Sequence, residues 1–230
     1  MDREENDTEA LRSANELSRQ VLSPKRLCIA VIPCKLVSHR LPKKNLQLVA
    51  GVPMVLHAVM KAKSCPFIDM VVVTTDDVET FQREVPAIKS KLFEDVYLIQ
   101  RSGNACNPET PVYLVVRDAI QLLSLSGTIS RTPTHLVMLQ PNVPTLPQEA
   151  VDILVEAVVE KGFNVARHFD TSGAMTGGCD AYKFPAFQSV QLMDTYNFAF
   201  LSTDLEIHTA EDLAFAEKVF TMRGLKNDEP

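Results

Sequence analysis

No stretch of this sequence comes near the ~20 consecutive apolar residues that a membrane-spanning helix needs, so a membrane span is not expected. CxxC spacing is also missing. The five cysteines (Cys28, Cys34, Cys65, Cys106 and Cys179) are scattered and odd in number, which argues against a disulfide framework or a structural zinc site and favours a reducing compartment. There is no excess of positive charge: 23 Lys and Arg stand against 29 Asp and Glu, for a net charge of −6. A general binder of nucleic-acid polymers or membrane surfaces favours a broad basic face, so neither partner is expected. A glycine-rich phosphate nest and a GxxxxGK[ST] loop are both absent. The opening residues, "MDREENDTEA", are acidic and polar, unlike a secretory signal or an Arg-rich transit peptide, and a cytoplasmic protein is expected.

What is present is an ordinary globular composition, 46% apolar and 23% charged over 230 residues. That suits one sizeable domain, or one domain with an appendage. Residues 1–24 form the appendage. Leu11, Leu17, Val21 and Leu22 recur at roughly helical spacing after a weak capping start at Thr8, and Ser23-Pro24 ends the pattern, which reads as a frayed helix or a disordered tail. Residues 25–230 read as a single domain. "RLCIAVIP" is an apolar run of strand length closed by Pro33, of the kind buried on both faces. Further strands are expected in "IDMVVVTTDD", "EDVYLIQR" and "THLVMLQP".

Helical patterns alternate with these strands. "MVLHAVMKAKS", "VETFQREVPAIKSKL", "PVYLVVRDAIQLLSLS" and "LPQEAVDILVEAVVEKG" lie between or after them, the second broken by Pro86 and the last stopped by Gly162. "TAEDLAFAEKVFTMRG" closes the chain with Thr209 as N-cap and Asp212 as the matching acid. Between about 163 and 200 the pattern weakens into short pieces. Strand–helix alternation predicts an α/β fold, a mostly parallel sheet of right-handed βαβ units with helices on both faces. Ligands in such sheets bind beyond the carboxyl ends of the strands. The segments after Ile32, Thr75, Gln100 and Gln140 are therefore the places to look for chemistry.

The first of these segments is "IPCKLVSHRLPKKN", Ile32 to Asn45. It brings together Lys35, Arg40, Lys43 and Lys44, with His39 a fifth cation when protonated, in a chain that is otherwise acidic. Lysines can act as point charges on phosphates, and Ser38 and Asn45 can hydrogen-bond a base, sugar or phosphate. A solvated basic loop would have the same composition, and residue chemistry alone leaves both readings open. His57 falls in a helical pattern as a surface or interfacial residue. Cys34 reads as a small buried filler.

With "VAGVPMVLHAV" after it, this stretch resembles the first motif of the cytidylyltransferases that activate acidic sugars. Its S-x-R-L-P-x-K core is similar to CMP-Kdo synthetases, and Lys44-Asn45 and the later segments are similar to CMP-acylneuraminate synthetases. "TTDD" (74–77) resembles the end of that family's second strand. "QRSGNACNPET" resembles its R-P-x-x-L-A-x-D stretch, with Asn107 where an Asp is usual. "LQPNVPTL" resembles L-Q-P-T-S-P-L-R. "LEIHTAEDLAFAE" resembles D-I-D-T-x-x-D-x-x-x-A-E, in which the two leading carboxylates hold a divalent metal.

The resemblance spans roughly Leu27 to Glu217 and implies a three-layer Rossmann-like nucleotidyltransferase fold. The implied activity is transfer of CMP from CTP to an acidic sugar, sialic acid-like or Kdo-like, or a related acid, with release of pyrophosphate. By the same resemblance Lys35 and Lys44 hold the triphosphate as the catalytic cations, Lys35 standing where the family has Arg. Ser38, Asn45, Arg101, Thr110 and Gln140 bind the nucleotide, and Glu206 and His208 hold Mg2+ or Mn2+. Gly178, with Gly177, matches an N-G before an aromatic strand and marks the substrate side together with Tyr182. The 163–200 subregion is where the family binds the acid and builds a homodimer, and it is compressed here. Lys35, His208 and the short subregion also suit a second reading, a homologue that binds nucleotide or a protein partner without turnover.

Overall fold

A computed structural model describes residues 26–38, 40–85, 91–107, 109–189, 198–202, 204 and 206–223. The appendage expected at 1–24 lies outside the described residues, as does the stretch after Val85 that contains Pro86.

The first apolar run forms strand β1, Cys28–Cys34. Successive side chains of a strand face opposite sides of the sheet. Cys28, Ala30 and Ile32 accordingly enter one buried cluster, and Ile29 and Val31 enter the other. This double burial is why the run has no polar alternation. Strands β2 (Leu48–Val49) and β3 (Val52–Pro53) make a small antiparallel pair of their own. The main sheet continues with β4 (Met70–Thr75), β5 (Val96–Gln100) and β6 (His135–Leu139). It is completed by β7 (Val165–Asp170), β8 (Met175–Lys183) and β9 (Phe198–Ser202).

Seven strands run in the order β5-β4-β1-β6-β8-β7-β9. β8 pairs antiparallel with both β6 and β7, and the other pairings are parallel. Helices α1 (Met54–Ser64) and α4 (Gln148–Val159) pack Val55, Val59, Val151 and Leu154 on one face. α3 (Val112–Leu125) packs Val116, Ala119, Ile120 and Leu123 on the other. The architecture is α/β with three layers and a mostly parallel, mixed sheet, as the alternation of elements predicts. Helix α2 (Val78–Glu84) starts at Asp77, whose side chain accepts from the Thr80 amide at 2.9 Å.

Three local expectations change. Pro33 does not end β1, which continues to Cys34 opposite Thr75 of β4. A proline is tolerated there because pairing with β6 has already stopped at Val31 opposite Met138, so no ladder hydrogen bond is needed on that side. His57 is not at the surface. It is buried, its Nε2 lies 2.8 Å from the Val49 carbonyl, and its ring sits 5.0 Å from that of Phe220. Burial, and then the neighbouring Lys61, push the imidazole down to about 4. Finally, the weakly patterned 163–200 region supplies the β7–β8 antiparallel pair, the short helix α5 (Phe184–Gln188) and the edge strand β9.

The last helix, α6 (Ala210–Met222), has the expected capping box: the Thr209 hydroxyl accepts from the Asp212 amide while the Asp212 carboxylate accepts from the Thr209 amide. The same carboxylate takes the His208 amide at 2.9 Å, so the cap also fixes the approach from Glu206 to His208. Below it, Ile207, Ala216 and Phe220 pack on Val49 and Met54, and Glu217 accepts from the Ala50 amide at 2.8 Å. Replacing Thr209 by Ala should lower unfolding stability by about 1 kcal/mol, read as a lower urea midpoint at unchanged m-value.

Candidate functional site

β1 and β6 are neighbours as far as Val31 and Met138, and beyond that point β1 stays with β4 only. The strands reached in sequence order on either side of this gap lead the chain in opposite directions across the sheet, which makes it a topological switch point. A cavity of about 480 Å3 opens there. Its walls are the loop after β1 (Lys35, Val37, Ser38, Arg40, Lys44, Asn45), Arg101 after β5, and Gln140, Pro141 and Asn142 after β6. Thr110, Val112, Val115 and His208 complete the lining with Pro33.

The basic loop is held in shape by polar contacts that leave its cations available. Asp76, just past β4, accepts the Leu36 amide at 2.8 Å and the Val37 amide at 3.4 Å on its two oxygens. Asn45 is buried, and its side-chain amide donates to the Lys35 carbonyl at 2.9 Å, tying the start of the loop to its end. Lys43 adopts a left-handed φ of 48° and turns away, its ammonium 2.6 Å from Glu84. Of the bunched cations, Lys35, Arg40 and Lys44 therefore face the cavity and Lys43 does not; His39 lies outside the described residues.

Arg101 is 7% exposed, with one nitrogen 3.3 Å from the Thr74 carbonyl and its Nε without a partner. Burial pushes its guanidinium down from the ordinary value and the Asp76 carboxylate opposes that. Asp76 thus shapes the loop and balances Arg101. Lys44 is shifted down by burial in the same way, with Glu206 opposing and Arg40 adding to the shift. Arg101, shielded from water, attracts an anion more strongly than an exposed cation does, and half-buried Lys44 and exposed Arg40 add charge beside it.

On the opposite wall, Glu206 Oε2 and His208 Nε2 are 2.6 Å apart. Asn142 is 5% exposed and its Oδ1 has no hydrogen-bond partner. Its carbonyl accepts the Ile207 amide at 2.7 Å, which places it beside the Glu206–His208 pair. The Gln140 side chain lies across Gly177, where φ is +65° and a Cβ would overlap the Gln140 amide nitrogen; Glu206 Oε1 would be 3.7 Å from that same Cβ. Glycine is required at this bulge of β8 both for its backbone conformation and for the space.

Among the residues singled out from sequence, Lys35, Ser38, Lys44, Asn45, Arg101, Thr110, Gln140 and His208 line the one cavity. Glu206 joins them through His208. Asn45 and Thr110 spend side-chain hydrogen bonds on backbone, Thr110 donating to Asn104 at 2.7 Å. Gly178 lies under Gln140, whose amide donates to the Gly178 carbonyl at 3.3 Å. Tyr182 is placed elsewhere. It is 1% exposed, sits opposite Leu136 toward the far end of β8, and donates to Asp180 at 3.0 Å, with the Arg167 guanidinium 5.6 Å from its ring centre. The two-residue alternation of β8 carries Tyr182 into the core, away from the cavity. Sequence reasoning counted Arg40 among the bunched cations without giving it a role, and gave none to Asp76 or to Asn142, two residues after Gln140.

A family model described as cytidylyltransferase matches residues 29–107, which covers β1, the basic loop, β4, β5 and Arg101. No curated protein matches the sequence. Among solved structures, a CMP:2-keto-3-deoxy-manno-octonic acid synthetase complexed with CTP superposes with a TM-score of 0.61 at 15% identity, covering 86% of this chain and 99% of that one. A 4-diphosphocytidyl-2C-methyl-D-erythritol synthase gives 0.59 at 15% identity, covering 86% and 100%. A cytidylyltransferase from Leptospira borgpetersenii serovar Hardjo-bovis (strain JB197) gives 0.57 at 14% identity, covering 89% and 99%. At such identities the superpositions establish a shared α/β fold. The family match adds that residues 29–107, about a third of the chain, are similar to the cytidylyltransferase family.

Two measurements check this geometry. Asp76→Ala should speed hydrogen exchange at the Leu36 amide by about tenfold or more, and Asp76→Asn, which keeps one acceptor oxygen, should fall between it and the parent. Gly177→Ala should displace the Gln140 side chain, visible as a shift of its amide resonances.

Proposed function

We propose that this protein is a CTP-dependent nucleotidyltransferase that transfers CMP to an acidic sugar of sialic acid-like or Kdo-like type, or to a related small acid, and releases pyrophosphate. The observation that carries the reading is the convergence of Lys35, Arg40, Lys44 and Arg101 on one cavity of a protein whose net charge is negative. A polyanion of several charges is the ligand such a wall selects, and the match to the cytidylyltransferase family points to CTP.

In this reading an oxygen of the acceptor attacks the α-phosphorus as the bond to the pyrophosphate oxygen breaks, and negative charge builds on the leaving group. Lys35, Arg40 and Lys44, held along the cavity by the loop after β1, stabilise that charge as it develops. Lys35 and Lys44 do so as point charges, without the two-pronged grip of an arginine. Arg101, buried and planar, adds its guanidinium to the cavity lining. Gln140 and Ser38 supply neutral donors and acceptors for the nucleoside, and Asn142 supplies an acceptor that the protein leaves unsatisfied.

Glu206 and His208 are the metal-holding pair in this proposal. Magnesium is usually held by one or two carboxylates, with substrate phosphates and water filling its shell. Glu206 fits that pattern, and the imidazole of His208 adds a nitrogen donor better suited to manganese. Among the described residues no group of three His, Cys, Asp or Glu side chains converges, so such an ion would take the rest of its shell from the triphosphate. When bound it would supply charge neutralisation to the phosphates. Gly178 is assigned to the acceptor side through its place beneath Gln140. The homodimer and the cytoplasmic location expected from sequence stay with this proposal. Among the described residues no helix is long and apolar enough to cross a membrane.

The test is pyrophosphate release from CTP with Mg2+ or Mn2+ across a panel of sialic, Kdo-like and other small acids, alongside calorimetry of CTP binding. Turnover that chelation abolishes is the expected result, and Lys44→Met should weaken CTP binding by about tenfold or more. CTP binding with no pyrophosphate from any acceptor would instead identify a nucleotide-binding homologue without turnover. No binding of CTP would end the first reading and leave, of the second, only a homologue that binds a protein partner.

A further inference from the structure

Beneath the Gly177–Gly178 bulge of β8 lies a buried polar chain without a role in the proposed function. His168, on β7, is fully buried. Its Nε2 is 2.7 Å from Ser202 Oγ on β9, and its Nδ1 meets Thr176 Oγ1 on β8. Ser202 donates to Asp204 Oδ2 at 2.8 Å, and Asp204 Oδ1 accepts from Arg223 at 3.2 Å. Arg223 also donates to the Thr145 carbonyl at 2.6 Å. At the other end the Gly178 amide donates to Thr176 Oγ1 at 3.3 Å.

The direction of every proton in this chain follows from its ends. Asp204 can only accept, so the Ser202 hydroxyl donates to it and must itself accept from His168. Nε2 then carries the ring proton, Nδ1 is the acceptor, and the Thr176 hydroxyl points at it. Thr176 keeps a lone pair for the Gly178 amide. Burial pushes the imidazole down from its ordinary value, with Asp204 and Asp170 opposing, which agrees with a neutral ring. Packing adds a second constraint: a Cβ at Gly178 would lie 2.9 Å from His168 Nδ1, so the ring fills the place directly under this bulge.

We propose that His168 is a positioning residue: through Thr176 it fixes the Gly177–Gly178 bulge of β8 on which Gln140 rests, and so sets the wall of the cavity that the nucleoside and the acceptor meet. The wall's role rests on the function proposed above, whereas the mechanical link does not. Three strands that the sequence pattern leaves weak, β7, β8 and β9, are joined by this one side chain, and the cavity inherits its geometry from them.

The link can be separated from mere filling of space with two substitutions. In His168→Asn the amide oxygen takes the place of Nδ1 and can still accept from Thr176, but volume is lost. In His168→Gln more volume is kept, but the acceptor beside Thr176 is lost. A positioning role predicts that Gln is the more harmful change, and a filling role predicts the reverse. Hydrogen exchange of the 176–178 amides should rise by about tenfold in His168→Gln and by much less in His168→Asn. Thr176→Val, nearly the same shape without the hydroxyl, should reproduce the Gln result and reads the same link where the Gln variant fails to fold.

In the Gln and Val variants CTP affinity by calorimetry should fall by about threefold or more and kcat/KM in turnover assays by about tenfold, while His168→Asn stays within about twofold of the parent on both. Unchanged exchange at 176–178 in both variants, or an Asn variant worse than Gln, overturns the proposal. Faster exchange in a protein that releases no pyrophosphate with any acceptor would keep the link and overturn its role in catalysis together with the proposed function.

Discussion

The parting of β1 from β6 is the constraint on which the rest of the site depends. Up to Val31 and Met138 the two strands share a ladder; after that β1 follows β4 to Cys34 and Thr75, while the chain beyond β6 turns away through Pro141. The backbone groups freed by this separation need partners. On the β1 side the Asp76 carboxylate supplies them to Leu36 and Val37, and Asn45 supplies one to Lys35. On the β6 side Gly178 takes the Gln140 amide and Asn142 takes that of Ile207. Each contact that satisfies the opened sheet edge also places a residue of the cavity. Fold and site are consequently built from the same hydrogen bonds.

That economy explains how an acidic protein sustains a cationic cleft. Arg101 and Lys44 are both shifted toward their neutral forms by burial, and each has a carboxylate, Asp76 or Glu206, that opposes the shift. Lys43, the cation whose ammonium is directly paired with a glutamate, is also the one that leaves the cavity. Local charge is therefore set by which side chains the loop geometry frees. Net charge says nothing about it.

Much of this could be read in the sequence because the parts concerned obey simple periodicities. β1, β4 and β6 are continuous apolar runs since both faces are covered, α1, α3 and α4 show helical stripes, and Thr209 with Asp212 announces a capping box. The position of the basic loop at a strand end followed from the parallel-sheet rule. What could not be read is the 163–200 half of the sheet. Arg167, His168, Thr176 and Asp180 are all buried in strands, yet as polar residues they look like loop or surface in a hydrophobicity pattern. Their burial is made tolerable by partners from other strands, such as Ser202 for His168 and Tyr182 for Asp180, and such pairings leave no local signal. Tyr182 was misplaced for the same reason: its strand alternation could not be phased. Asp76 and Asn142 were missed because they act through backbone amides and an unsatisfied oxygen, which only the folded chain brings into view.

The two walls of the cavity also differ in stiffness, and that difference bears on how a single site could handle a triphosphate and a second substrate. Lys35, Arg40 and Lys44 sit on a loop and carry long side chains, so they can follow a flexible polyphosphate as charge migrates along it. Arg101 is different: it is buried, tied to the Thr74 carbonyl through its guanidinium and to the Thr75 carbonyl through its amide, and its remaining Nε–H points one way only. Gln140, confined by Gly177, and Asn142, confined by Ile207, are fixed likewise. Rigid planar groups discriminate by shape and hydrogen-bond pattern, whereas mobile point charges discriminate by total charge. On the proposed reading, the loop after β1 recognises phosphate as such, and the fixed groups at the strand ends must decide which nucleoside and which acceptor are accepted. Specificity in this protein should therefore move with Arg101, Gln140 and Asn142 far more than with the lysines that first draw the eye.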